Sequence, residues 1–93
     1  MAERRYGRIR IHPHARKRMQ RRKISRAQVE RALQNPDRTY ESWGKLAAES
    51  DTAAGNTVFV YYVETAPGEA LVISVKRQRS RTSRERAPQE EGS

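Results

Sequence analysis

The sequence predicts an α+β domain: two N-terminal helices packed on a sheet of about four antiparallel strands, followed by a disordered basic tail. Three observations carry that expectation. Between Pro13 and Gln34 apolar residues recur every three or four positions, as helices require. From Arg38 the pattern turns to short runs rich in β-branched and aromatic residues, broken by turn signals. From Arg79 on, the run RSRTSRERAPQEEGS has no apolar periodicity at all. The expected boundaries are a flexible N-terminus over 1–7, one domain over 8–78 and a tail over 79–93.

Tyr6 to Ile11 alternates weakly, with Ile9 and Ile11 on one side, and reads as a short strand or an extended lead-in. Pro13 suits the first turn of a helix, where a missing N–H costs nothing. That helix runs to about Arg22, with Ala15 and Met19 four apart on its narrow apolar stripe. Ser25 and Gln28 form a capping box for a second helix. Ile24 and Val29 have the spacing of a hydrophobic staple. Val29, Ala32 and Leu33 are its buried stripe, and Asn35–Pro36 ends it.

Arg38–Trp43 is the next strand candidate and Lys45–Glu49 a weaker one. Trp43, the only tryptophan, is read as core, with stacking on a base as its alternative. Thr57–Thr65 and Ala70–Gln78 are strong strands joined by Ala66-Pro67-Gly68-Glu69, a type II turn. In the last strand, alternation puts Leu71, Ile73 and Val75 on one face and Val72, Ser74 and Lys76 on the other. Tyr61 and Tyr62 fall on opposite faces, so one packs inside and the other is free to stack on a base.

Net charge is +9, unevenly spread. Residues 1–26 carry eleven bases against one acid, residues 27–75 three against seven, and residues 76–93 six against three. Clustered like charges repel, and a polyanion relieves the repulsion while releasing counterions. Nucleic acid is therefore the expected partner, with RNA preferred over DNA. A solvated face that only keeps the protein soluble is the plain alternative. There is no cysteine, which removes thiolate chemistry and suits a reducing compartment. Met1 to Arg10 holds four arginines and no apolar signal region, and no run is long enough to span a bilayer. The expected location is the cytoplasm, with no membrane partner.

The acids are scattered singly and His12 and His14 are separated by a proline, so no metal site and no cofactor is expected. No glycine-rich phosphate loop is present. What remains is metal-independent RNA cleavage, in which the 2′-hydroxyl attacks its own phosphate and the protein supplies an acid, a base and cations. His14 with Arg18 one turn later has both residue types. Their plain reading is a surface histidine and a solvated arginine. Ser74 and Tyr62 are further candidates on the strands, Ser74 alternatively belonging to the wet face of the sheet.

The run His14-Ala15-Arg16-Lys17-Arg18-Met19-Gln20-Arg21-Arg22-Lys23-Ile24-Ser25 resembles the signature of domain-of-unknown-function family 4258. That signature is His-x-x-x-Arg-Met-x-x-Arg-Gly-Ile-Ser, with a second helix ending in Asn-Pro and a β-meander after it. The resemblance spans roughly residues 8–78 and includes Val29, Leu33, Asn35, Pro36 and the final LVISVKR. It implies a fold similar to RelE-like toxins and related ribonucleases, and a role in toxin–antitoxin or other RNA-targeting systems. It also implies a site at His14, Arg18 and Arg22. Lys23 stands where relatives commonly have Gly, and Lys76 where many have an aromatic residue.

Three functions follow as expectations. The first is an RNA-directed domain acting as a metal-independent endoribonuclease of the toxin type. His14 is then acid or base, Arg18 and Arg22 hold the phosphate, and Lys17, Arg21, Lys76 and Arg77 touch the backbone. The second is a non-catalytic nucleic-acid-binding module. The third is a protein-interaction module docking an acidic partner such as an antitoxin.

Overall fold

The structure, a computed structural model, describes residues 5–79. Its elements run β1 (Arg8–Ile11), α1 (Pro13–Arg22), α2 (Arg26–Gln34), β2 (Arg38–Ser42), β3 (Lys45–Asp51), β4 (Asn56–Ala66) and β5 (Glu69–Arg79). The sheet has five strands in the order β1-β5-β4-β3-β2. Neighbours are antiparallel except β1, which pairs in parallel with β5. This corrects the four-stranded antiparallel expectation. The α+β class holds, but the lead-in before α1 is a real strand whose partner lies some sixty residues away, beyond any local signal. The tail expected over 79–93 lies outside the described residues from 80 on, as do residues 1–4 of the N-terminus.

Local chemistry explains both helices. In α1, Pro13 sits in the first turn and His12 caps it, Nδ1 accepting the His14 N–H at 3.1 Å. The helix stops at Lys23, which is left-handed with φ 58°. There Lys23 N–H reaches the Gln20 carbonyl (3.4 Å) and Ile24 N–H reaches that of Met19 (2.9 Å). This is a Schellman closure built without its usual glycine. The capping box on α2 is formed from both sides, Ser25 Oγ accepting from Gln28 N–H and Gln28 Oε1 accepting from Ser25 N–H.

Both helices cover one face of the sheet. Ala15, Met19, Ile24, Val29, Ala32 and Leu33 close over Ala48, Val58, Val60, Tyr62, Ala70, Val72 and Val75. A β-bulge decides which β5 residues join them. Tyr62 pairs with Val72 but Tyr61 pairs with Ser74, so Ile73 is the inserted residue. The insertion shifts the alternation by one. Val72 and Val75 therefore share the helix-covered face, whereas strict alternation separates them. Ser74 and Lys76 lie opposite, with Tyr61 and Phe59.

Two aromatic residues depart from expectation. Tyr6, assigned by sequence to a flexible terminus, is 3% exposed and part of the core. Its ring meets Tyr62 edge-on at 5.6 Å, and its hydroxyl donates to Glu64 Oε2 at 2.7 Å. Gln34 brackets its backbone, accepting from Tyr6 N–H and donating to its carbonyl. Burial, with hydrogen bonds to Tyr62 and Glu64, raises the Tyr6 phenol pKa. Trp43, expected inside, is 95% exposed at the tip of the β2–β3 hairpin. The strand that was expected to include it ends at Ser42, because Trp43 and Gly44 turn the chain at positive φ. The Pro67–Gly68 turn forms as expected, Gly68 having φ 78°.

Two outcomes follow from these contacts. Lys23→Gly relieves a side chain from a left-handed backbone and should raise stability by about 1 kcal/mol, read from the urea midpoint. Tyr6→Ala should lose about 3 kcal/mol or more, like other buried aromatic truncations, where loss from a frayed terminus costs almost nothing.

Candidate nucleic-acid interface

Helix α1 lies alongside β5 and is tied to it at both ends. His12 N–H donates to the Val72 carbonyl at 2.9 Å, and Arg77 Nη1 donates to the Lys23 carbonyl at 3.4 Å. Pairing of β1 with β5 stops at Ile11 and Val72, so α1 continues along β5 where β1 leaves off. Only Ala15 and Met19 of the helix are buried. Its remaining surface carries Arg16, Lys17, Arg18, Arg21 and Arg22, with Lys23 at the cap, and the helix contains no acid. Among the described residues the salt bridges are Arg26–Glu30 and those of Arg38 with Glu49 and Asp51. None involves α1.

His14 and Arg18 meet. Arg18 Nε donates to His14 Nε2 at 3.4 Å, a contact that needs a neutral imidazole carrying its proton on Nδ1. Arg18 is half-buried, while His14, Lys17, Arg21 and Arg22 are exposed. Arg22 follows Arg18 by one helical turn and so belongs to the same stripe. The three residues share one face of a helix, on a surface and not in an enclosed pocket.

The strand candidates divide across the sheet. Arg77 is on the helix-covered side, where it satisfies a carbonyl left open at the end of α1. Lys76 is on the other side, its ammonium 4.9 Å from the Phe59 ring centroid and 6.0 Å from that of Tyr61. Ser74 is opposite Tyr61 on that same side, so neither Ser74 nor Lys76 shares a surface with His14. Tyr62 is 1% exposed in the core and presents no ring to a base. Tyr61 is the half-exposed one of the pair. Strict alternation could not choose between them, because both strand faces are apolar and the bulge falls beside them.

The face opposite the helices has its own polar cluster. Arg38 Nε meets Glu49 Oε1 at 2.6 Å, and Arg38 Nη2 meets Asp51 Oδ1 at 2.7 Å. Asp51 also accepts the Thr57 hydroxyl at 2.7 Å. Its carboxyl pKa is lowered by these bonds, Arg38 first and Thr57 second. Tyr40 beside them is pushed up, chiefly by burial and then by its hydrogen bond to Glu49. Here the cation Arg38 is offset by acids, unlike those of α1. Sequence reasoning passed over this cluster because Arg38, Glu49 and Asp51 converge only through strand register. It also left Arg16 out of the basic face, though the helical repeat alone exposes it.

Among the described residues no three His, Cys, Asp or Glu side chains come together as metal ligands. No described helix is long and apolar enough to cross a membrane.

Asp51 makes the pH dependence of stability testable. Its lowered folded-state pKa means its contribution is full above the unfolded carboxylate pKa, about 4, and is lost as pH falls through the folded value. Asp51→Asn should therefore lose less stability than the parent between about pH 5 and pH 2, measured as urea midpoints across that range.

Compared with known proteins, residues 11–81 match the model of one family, described as Domain of unknown function (DUF4258). No curated protein and no solved structure matches the chain.

Proposed function

Because the chain belongs to the DUF4258 family, whose description names no activity, we propose its role from its surface: an RNA-directed module that holds the phosphate backbone on α1. One observation carries this reading. Six cations lie on α1 and its cap (Arg16, Lys17, Arg18, Arg21, Arg22 and Lys23), and none is ion-paired among the described residues. Neighbouring like charges on a helix destabilise it. A polyanion turns that repulsion into attraction and gains counterion release. The guanidinium groups suit phosphate oxygens through their paired donors. Lys17 and Arg21 are backbone contacts in this reading; Lys76 and Arg77 are not, since one faces away and the other is held by Lys23.

The contact between Arg18 and His14 favours a second, catalytic reading on the same face. An imidazole with its proton on Nδ1 has Nε2 as its basic atom, and Arg18, turning from Nε2 to an incoming phosphate, would free that base and hold the phosphate beside it. RNA supplies its own nucleophile. The 2′-hydroxyl loses its proton to His14 as O2′ bonds to phosphorus, Arg18 and Arg22 offset the charge on the phosphorane, and the departing 5′-oxygen takes a proton from water. This chemistry needs no metal and requires RNA, which is why RNA is preferred over DNA. The strand–helix–helix–four-strand order, with both helices on one sheet face, supports the RelE-like architecture implied by the resemblance. A toxin-type ribonuclease working in the cytoplasm fits that architecture. Docking of an acidic protein such as an antitoxin on the same cations is the competing occupant.

The test is titration of the purified chain with labelled single-stranded RNA in EDTA over a range of salt. Six phosphate contacts predict a slope of about −4 in log affinity against log salt, and Arg18→Ala or Arg22→Ala should each reduce it by about 0.7. Ends bearing 2′,3′-cyclic phosphate, lost in His14→Ala with affinity kept, would establish the catalytic reading. Binding without cleavage, equal in His14→Ala, leaves a binding module. Tight association with an acidic protein and no affinity for RNA would refute both.

A further inference from the structure

We propose that the tip of the β2–β3 hairpin docks an extended protein segment bearing an arginine or lysine, with Trp43 as the anchor. Trp43 and Gly44 form a two-residue turn with both φ angles positive, 54° and 76°. That turn favours Asn or Asp followed by Gly, because a bulky side chain on a left-handed backbone is strained. The indole is also 95% exposed. Tryptophan here costs the fold twice, in backbone strain and in apolar surface left in water. Tryptophan is also among the commonest interface anchors.

The surroundings indicate what that something is. Next to the turn is a cleft of about 460 Å³ lined by Glu41, Gly44, Lys45, Leu46, Val63 and Glu64. Leu46 packs against the core and offers an apolar wall. Glu41 and Glu64 add two carboxylates against the single cation of Lys45, and none of the three is in a salt bridge among the described residues. Glu64 uses one oxygen for the Tyr6 hydroxyl. An indole beside carboxylates attracts a cationic side chain, through the ring face and through charge. The same carboxylates repel phosphate, so this end of the molecule disfavours the RNA assigned to α1.

An extended segment fits because β2 ends the sheet, and among the described residues its outer edge has no strand partner. Thr39 and Glu41 are exposed along that edge, whereas Arg38 is held by Glu49 and Asp51. A peptide pairing there gains main-chain hydrogen bonds and is led along β2 toward Trp43. Two strands, β3 and β4, separate β2 from β5, on which α1 rests, so both surfaces can be occupied together.

Trp43 is the only tryptophan, so its fluorescence reports the site directly. The probe is the blocked peptide acetyl-Thr-Val-Arg-Val-Thr-amide, titrated into the full chain beside its glutamine counterpart. The expected result is a saturable change in emission with the arginine peptide. Binding should be about threefold to tenfold weaker for the glutamine peptide, and for the arginine peptide on Glu41→Gln. Trp43→Asn, which suits the turn, should melt at higher temperature and lose the arginine peptide by calorimetry, while keeping its RNA affinity. The proposal fails if no saturable change occurs or if the glutamine peptide binds equally well. It also fails if Trp43→Asn melts lower, making the indole structural, or if single-stranded RNA produces the indole response instead.

Discussion

Helix α1 keeps its cationic surface because β5 holds it from below. Its like-charged neighbours at spacings of three and four, Lys17 with Arg21 and Arg18 with Arg21 and Arg22, together oppose the helix by about 1 kcal/mol. Burial of Met19 alone returns about 2 kcal/mol, Ala15 adds to it, and the helix is pinned at both ends. Packing therefore exceeds repulsion by a modest amount. That margin lets the outer side of α1 carry charge with no compensating acid among the described residues. Everything else in the fold serves β5. Strand β1 extends it on one side, β4 on the other, and the bulge at Ile73 turns Val75 inward beneath the helix.

The same arrangement sorts charge by place. Among the described residues the cations on α1 have no salt bridge, whereas Arg38 on the opposite sheet face is bound by Glu49 and Asp51. The hairpin end has two carboxylates and one lysine around an apolar wall. One small domain thus offers three surfaces of different chemistry. The first suits a polyanion. The second is satisfied internally. The third suits a cation. Their separation follows from topology, since α1 accompanies β5 near one edge of the sheet while β2 forms the other.

How far the site was legible varies residue by residue. His14, Arg18 and Arg22 were readable as one stripe because a helix repeats every 3.6 residues and Pro13 fixed where it begins. That Arg18 reaches His14 is consistent with that spacing. Lys76 and Arg77 were readable as cations, and alternation alone puts consecutive strand residues on opposite faces, but which face lies under the helices was not readable. Arg77 looked like a backbone contact and is bound to the carbonyl of Lys23, fifty-four residues earlier. Tyr62 was carried as an exposed candidate and is core. Trp43, whose favoured reading is core with base stacking as the alternative, is the most exposed aromatic residue. The turn at Trp43–Gly44 has a glycine cue only at its second position, so its strained first position left no trace in composition.

Local signals were sufficient wherever the determining interaction spans a few residues. The capping box at Ser25–Gln28, the stop at Asn35–Pro36, the Pro67–Gly68 turn and the two-helix, strand-rich order all belong to that class, as does the basic run over 1–26. Tertiary structure alone decided the parallel pairing of β1 with β5, the burial of Tyr6 against Tyr62, the Ile73 bulge and the Arg38–Glu49–Asp51 cluster. Each of these joins groups far apart in the chain or shifts a register by one residue. A change of one residue exchanges the faces of a strand while leaving its sequence pattern almost unaltered. Charge and helical period thus fixed what α1 presents, and strand register fixed what lies behind it.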